Sequence, residues 1–243
     1  MKLFLCSNFK FLARKFLPEF FDLTKKHTAL LVGYADEYGD YYSESNTKLL
    51  EDLNFEVFHL DENYSFNDKI DMVFVKGGNT TKLVHLLKKF NQYDKVKNLI
   101  EQGALYVGIS AGSVLAGSDT EWTLRSEPYE IDVKKEYGKN ALLGFGFVDK
   151  LIFVHTSKYR FPFSDEIENA GQENFRVKNT LFYGDYLKDK KEYKGQKFIT
   201  LKDNEALLRN GEKEKFVRLD WSKFPVLDEY RLYWFFIKNV KTP

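Results

Sequence analysis

Along the first 110 residues, continuous apolar runs alternate with stretches of helical periodicity. Lys2–Ser7 reads as a short apolar strand. Phe11–Lys26 carries Phe11, Leu12, Phe16, Phe20 and Leu23 at helical spacing. Thr28–Gly33 is an unbroken apolar run, the mark of a strand buried on both faces. Ser43–Leu53 predicts a helix capped by Ser43, with Leu49, Leu50 and Leu53 on its apolar side. Phe55–Leu60 and Asp71–Val75 are the third and fourth strands, Thr80–Phe90 and Tyr93–Gln102 two further helices, and Ala104–Ile109 the fifth strand. Strands alternating with helices imply βαβ units, hence an α/β fold whose mostly parallel sheet is covered by helices on both faces.

The rhythm changes after Gly117. Leu151–Val154 is another apolar run, followed by a loop and a helix expected from Ser164, with Asp165, Glu166 and Glu168 in its first turn. Phe198–Leu201, Ala206–Leu208 and Lys215–Leu219 read as short strands, and Asn210-Gly211 as the turn of a hairpin. The aromatic stretch Leu232–Val240 predicts a final strand, with Tyr233-Trp234-Phe235-Phe236 as core or as a subunit contact. No linker or repeat interrupts the chain, so residues 1–243 are expected to form a single domain, a parallel half followed by a more irregular one.

Composition narrows the partners. The 37 basic and 36 acidic side chains leave a net charge of +1, which removes the electrostatic case for nucleic-acid or anionic-membrane binding. One cysteine, Cys6, makes neither an intrachain disulfide nor a multi-cysteine zinc site. No apolar run approaches the roughly 20 residues of a membrane span, and Met1–Ser7 is too short an apolar stretch for a secretory signal. A soluble, cytoplasmic protein is expected. Aromatic residues reach 17%, which supplies core-forming surface and does not by itself define a ligand cage.

The strongest chemical signal is Gly108-Ile109-Ser110-Ala111-Gly112-Ser113. It follows a buried strand and opens a small-residue segment able to start a helix, the setting a nucleophile elbow requires. The tight bend lifts the serine hydroxyl to the carboxyl edge of the sheet, and small neighbours admit the close passage of adjacent chain. A second signal, Lys76-Gly77-Gly78-Asn79-Thr80, also joins a buried strand to a helix. Its two glycines allow exposed amides, and Asn79 or Thr80 can cap the helix. A phosphate-binding loop is not indicated, because the Gly-x-x-x-x-Gly-Lys-Ser/Thr pattern is missing. Paired with the serine bend, the glycine loop points to acyl chemistry.

A serine hydroxyl needs a base, and there are four histidines. His27 stands among lysines at the end of the first predicted helix, His59 lies inside a strand, and His85 falls mid-helix between Leu83 and Leu86. His155 ends the apolar run Leu151–Val154 and begins a loop, which is where a base belongs. The carboxylate that orients it is less constrained. Asp203, between two short strands, is the first choice, with Glu205 and Asp185 as alternatives.

These segments resemble the dipeptidase E (aspartyl dipeptidase) family of serine peptidases. The likeness rests on Leu5-Cys6-Ser7-Asn8, on Val75-Lys76-Gly77-Gly78-Asn79-Thr80, on the nucleophile segment Gly103–Ser113 and on the place of His155. It extends less specifically through Leu201–Leu207. The resemblance implies a flavodoxin-like fold similar to the glutamine amidotransferase domain. It implies a triad of Ser110, His155 and Asp203, in a chain order unlike that of α/β-hydrolases, and an oxyanion hole from the amides of Gly78 and Ala111. Such a mechanism needs no metal or organic cofactor. The chain departs from the family in one respect. Aspartyl dipeptidases place an arginine after the base to hold the substrate carboxylate, whereas here only Arg160 and Arg176 lie between His155 and Lys178, and Ile167 or its neighbours stand at the expected position.

A divergent serine peptidase of small peptides is therefore expected, not strictly limited to Asp-x, acting as a monomer or homodimer. Two rivals share the scaffold. One is a cyanophycinase-like peptidase, favoured if Glu121, Glu127, Glu130 and Asp132 line a cleft for arginine-bearing substrates. The other is a non-catalytic binding module that keeps the bend for structural reasons.

Overall fold

The computed structural model describes residues 1–36, 40–125, 129–155 and 197–219. Five parallel strands make the heart of the main sheet: β1 (Lys2–Cys6), β2 (His27–Val32), β3 (Phe55–His59), β4 (Met72–Val75) and β5 (Leu105–Ile109). The antiparallel hairpin β8 (Glu205–Asn210) and β9 (Lys213–Arg218) adds to β1, giving the order β3-β2-β4-β5-β1-β8-β9. Two short strands, β6 (Leu151–Phe153) and β7 (Phe198–Thr200), pair in parallel as a separate small sheet. The α/β architecture expected from the apolar pattern is thus present, and the hairpin turns at Asn210-Gly211, where Gly211 takes a positive φ of 64°.

Strand alternation sorts the core into two layers. Leu3 and Leu5 of β1 face one side, where they meet Leu83, Val84 and Leu87 of α3 (Thr80–Lys89), Val96 and Ile100 of α4 (Tyr93–Glu101) and Leu115 of α5 (Ala111–Leu115). Phe4 and Cys6 face the other, with Leu12 and Phe16 of α1 (Lys10–Phe16) and Leu49 and Leu50 of α2 (Asp40–Glu51). Both faces of the parallel strands are therefore covered, as their unbroken apolar runs require. A short helix, α6 (Val133–Tyr137), follows a 3-10 segment at Glu121–Arg125. Among the described residues no helix is long and apolar enough to cross a membrane.

Three expectations are corrected. The helix expected to begin at a Ser43 cap starts at Asp40, so Ser43 lies inside α2. The helix expected over Phe11–Lys26 stops at Phe16, and a 3-10 turn over Leu17–Glu19 takes its place. Pro18 is the physical reason: it has no N–H to donate, and its ring collides with the carbonyl four residues back in a continuing helix. His27 consequently does not end a helix but begins β2. Its ring rests between Phe21 and Phe55 and bonds the Asp22 carbonyl through Nε2 at 2.9 Å. The helix expected from Ser164 and the strand expected over Leu232–Val240, with its aromatic cluster, lie outside the described residues.

The sheet's carboxyl edge is packed by backbone rather than by side chains. A Cβ placed on Gly108 would come within 2.6 Å of the Gly112 carbonyl oxygen, and one on Gly112 within 2.3 Å of the Val75 carbonyl oxygen. The bend after β5 thus lies directly on β4 and on its own strand. A Gly112→Ala substitution is expected to cost about 1–3 kcal/mol through overpacking, measurable as a lower urea midpoint at unchanged slope.

Candidate active site

Ser110 sits between β5 and α5 with φ 49° and ψ −109°. A non-glycine residue in this region is strained by about 1–3 kcal/mol and is held there only by its surroundings. Three contacts hold it. Its amide donates to the Cys6 carbonyl of β1 at 2.9 Å, and its carbonyl accepts from Val114 of α5 at 3.0 Å. Gly77 presses from the third side, where a Cβ would fall 3.0 Å from Ser110 Cβ. The bend is further pinned by Ser113, whose buried hydroxyl donates toward the Cys6 and Gly108 carbonyls at 2.8 and 2.6 Å and accepts from the Cys6 amide at 2.9 Å.

The hydroxyl of Ser110 stands 3.0 Å from His155 Nε2, and His155 Nδ1 stands 2.6 Å from Asp203 Oδ1. A carboxylate only accepts hydrogen bonds, so Nδ1 carries the proton, and Nε2 is left as an acceptor facing the serine. The three residues come from different parts of the fold: the end of β5, the loop after β6 and the turn between β7 and β8. His155 takes a positive φ of 55°, an uncommon conformation for a residue other than glycine, although histidine adopts it more readily than most. The ring is 31% exposed and the Asp203 side chain 17%, so both are half-buried and the carboxylate is the less accessible of the two.

Glu205 is not on the imidazole. Its carboxylate accepts from Arg218 Nε at 2.9 Å and from the Lys202 amide at 3.1 Å. Asp185 lies outside the described residues. Of the other histidines, His59 bonds Thr47 Oγ1 at 3.2 Å through Nε2, and His85 bonds Tyr129 OH at 2.9 Å through Nδ1. His85 is buried in the helix layer, whereas His59 is exposed at the end of β3; neither bonds Ser110.

The glycine loop runs alongside Ser110. Gly78 has φ 130°, and a Cβ there would meet the Ala35 carbonyl oxygen at 1.9 Å, so only glycine fits. Asn79, not Thr80, caps α3: its side chain accepts from the Lys82 amide at 2.9 Å. Ala111 is the first residue of α5, and its amide has no acceptor within that helix. The loop is anchored from below by Lys76. That side chain is 3% exposed and pairs with Asp36 at 2.5 Å, while Lys82 Nζ donates to the Asp36 carbonyl at 2.7 Å. Sequence reasoning passed over this anchor. Its signal is a lysine ending a wholly apolar strand, where a cation needs an acid partner.

Two of the acids considered for an arginine-bearing substrate are engaged locally. Glu121 pairs with Lys134 at 2.5 Å, and Asp132 caps α6 by accepting from the Lys135 amide at 3.1 Å. Glu130 is exposed, and Glu127 lies outside the described residues, as do Arg160, Ile167 and Arg176. No cluster of potential metal ligands occurs among the described residues.

The fold and this row of side chains define a class: α/β proteins that carry a serine–histidine–carboxylate arrangement at the carboxyl edge of a mostly parallel sheet. Comparison with known proteins narrows the class. Residues 3–217 match the model of peptidase family S51, and the chain belongs to that family. It is 31% identical over 114 residues to a Peptidase E of Nostoc sp., covering 45% of this chain and 47% of that protein. It is 37% identical over 82 residues to a Peptidase E of Shewanella amazonensis, covering 32% and 34%. These matches thus span about half or less of the curated relatives' length. The solved structure of a candidate Peptidase E from Listeria monocytogenes shares the fold, with a TM-score of 0.65 at 23% identity over 90% of this chain and 98% of that one.

Cys6, the chain's one thiol, is fully buried in β1, and burial pushes its pKa well above the usual thiol range. The raised pKa keeps it protonated where a free cysteine would begin to ionise, so it supplies no thiolate. Iodoacetamide at pH 8 is expected to leave Cys6 unmodified in the folded protein and to alkylate it in urea. Mass spectrometry of the two samples reads the difference.

Proposed function

We propose that the chain is a serine peptidase acting on small peptides, with Ser110 as nucleophile, His155 as general base and acid, and Asp203 as the group that orients the imidazole. The observation that carries this reading is the continuous row of hydrogen bonds from Ser110 Oγ through the His155 ring to Asp203 Oδ1. Family membership supports the reaction type.

In the first half-reaction His155 Nε2 takes the Ser110 proton as Oγ bonds to the substrate carbonyl carbon. The carbonyl π pair moves to oxygen, and the amides of Gly78 and Ala111 receive that charge. Collapse of the intermediate breaks the C–N bond, and His155 returns the proton to the leaving amine. In the second half, water adds to the acyl-serine, giving its proton to His155. Collapse then breaks the ester bond, and the proton returns to Ser110 Oγ. Each oxyanion donor typically contributes a factor of about 10²–10³ in kcat. Asp203 stays ionised and steadies the imidazolium formed in each half.

The substrate class is a short peptide whose recognition differs from strict Asp-x selection, because the segment after His155 offers no arginine at the family's expected position. The local pairing of Glu121 and Asp132 weighs against the arginine-polymer alternative. A cytoplasmic location is proposed with this reading, and the single cysteine requires no oxidising compartment.

The test is covalent capture with a fluorophosphonate, followed by peptide mapping. The wild type is expected to carry one adduct, on Ser110. Ser110→Ala is expected to carry none, and His155→Ala to react at most at the rate of a free serine. Asp203→Asn is expected to lower peptide turnover by about 10⁴-fold, whereas Glu205→Gln keeps most of it. An unlabelled wild type would support the binding-module reading instead. A panel of Asp-x, Glu-x and neutral dipeptides tests specificity, and cleavage confined to Asp-x would contradict the proposed preference.

A further inference from the structure

The nucleophile and its two partners belong to different sheets. Ser110 ends β5 in the seven-stranded sheet, whereas His155 and Asp203 follow β6 and β7 of the small sheet. The small sheet is self-consistent, since the Leu201 amide donates to the Phe153 carbonyl at 2.8 Å and keeps the base and acid loops together. Something must fix this pair against the serine to within a few tenths of an ångström, or the imidazole loses its reach.

Ser7 occupies the place where the sheets meet. It directly follows β1, the strand beside β5, and is 3% exposed. Its hydroxyl accepts from the His155 amide at 3.0 Å and donates to the Leu201 carbonyl at 2.9 Å. Its neighbour Cys6 accepts from the Ser110 amide through its carbonyl at 2.9 Å. Two consecutive residues at the end of β1 therefore touch the backbone at Ser110, at His155 and two residues before Asp203.

We propose that Ser7 is a positioning residue for the reaction, which locks the His155–Asp203 pair onto the nucleophile. This inference rests on the triad reading above. The lock acts on the weakest point of the row. His155 is held at φ 55°, a left-handed conformation that histidine visits more often than most side chains but that still calls for a local restraint. The bond from its own N–H to Ser7 Oγ is that restraint. A single buried hydroxyl also satisfies two backbone groups at once, so removing it leaves a donor and an acceptor without their partner. Relaxation of His155 toward a negative φ would then carry the ring away from Ser110 while the serine bend remains intact.

The experiment measures fluorophosphonate labelling of Ser110 as a saturating rate and a half-saturation concentration in wild type, Ser7→Ala, Ser7→Cys and Ser7→Thr. Ser110→Ala and His155→Ala serve as controls. Ser7→Ala and Ser7→Cys are expected to label about 10- to 100-fold more slowly at saturation, with half-saturation little changed. Ser7→Thr, which keeps the hydroxyl, is expected to recover most of the rate. Proton NMR adds a second readout, in which the low-field His155 Nδ1–H signal of the Asp203 bond weakens or broadens in Ser7→Ala and Ser7→Cys. Should Ser7→Ala fail to fold, the near-isosteric Ser7→Cys carries the comparison.

Labelling of both hydroxyl-deleting variants within about twofold of wild type would overturn the assignment, even with a lowered melting temperature. A loss that Ser7→Thr does not recover would also overturn it. Failure of the triad reading looks different, because His155→Ala would then label as fast as the wild type.

Discussion

The structure turns on one strained bend. Ser110 is held at positive φ between the last parallel strand and a five-residue helix, and everything around it is arranged to make that conformation the only one available. Cys6 of β1 bonds its amide, Gly77 closes in from the neighbouring loop, and Gly112 rests on the Val75 carbonyl. Tyr106 adds a hydrogen bond to the Gly112 carbonyl at 2.6 Å from inside the core. The bend therefore converts the packing of β1, β4 and β5 into the position of one hydroxyl. A buried parallel sheet suits this task, since its strands are covered on both faces and have little freedom to shift.

Around the bend, three loops are fixed by two different means. The glycine loop is held by backbone closeness to Ala35 and by the buried Lys76–Asp36 pair beneath it. A buried ion pair adds little net stability, yet breaking it is costly, which makes it suited to locking a loop in place. The loops that carry His155 and Asp203 are held instead by neutral hydrogen bonds converging on Ser7. A hydroxyl makes this junction without placing a further charge beside the imidazole.

Much of this was legible in the residues, and for identifiable reasons. The parallel strands announced themselves because two-sided burial forces unbroken apolar runs. Ser110 was legible because its bend needs small residues on both sides, and His155 because few histidines compete. The end of the first helix is not legible from periodicity, because apolar spacing continues past Pro18 while the helix cannot. The acid stayed open between Asp203, Glu205 and Asp185, although the Asn210-Gly211 turn contained part of the answer. Counting back from that turn sets Glu205 opposite Arg218, the partner it has in the sheet. The role of Ser7 was not legible in this way. Its partners lie 148 and 194 residues away, and nothing local distinguishes a serine that joins two sheets from one that merely ends a strand.

On the proposed reading the strained serine, the imidazole and the amides of Gly78 and Ala111 converge on one reacting centre. A crystal structure of the phosphonylated protein tests this most directly. The account predicts phosphorus bonded to Ser110 Oγ, Ser110 still at positive φ, and the phosphonyl oxygen about 2.7–3.1 Å from the amides of both Gly78 and Ala111. Phosphorus on another residue, or a phosphonyl oxygen turned away from both amides, would contradict it.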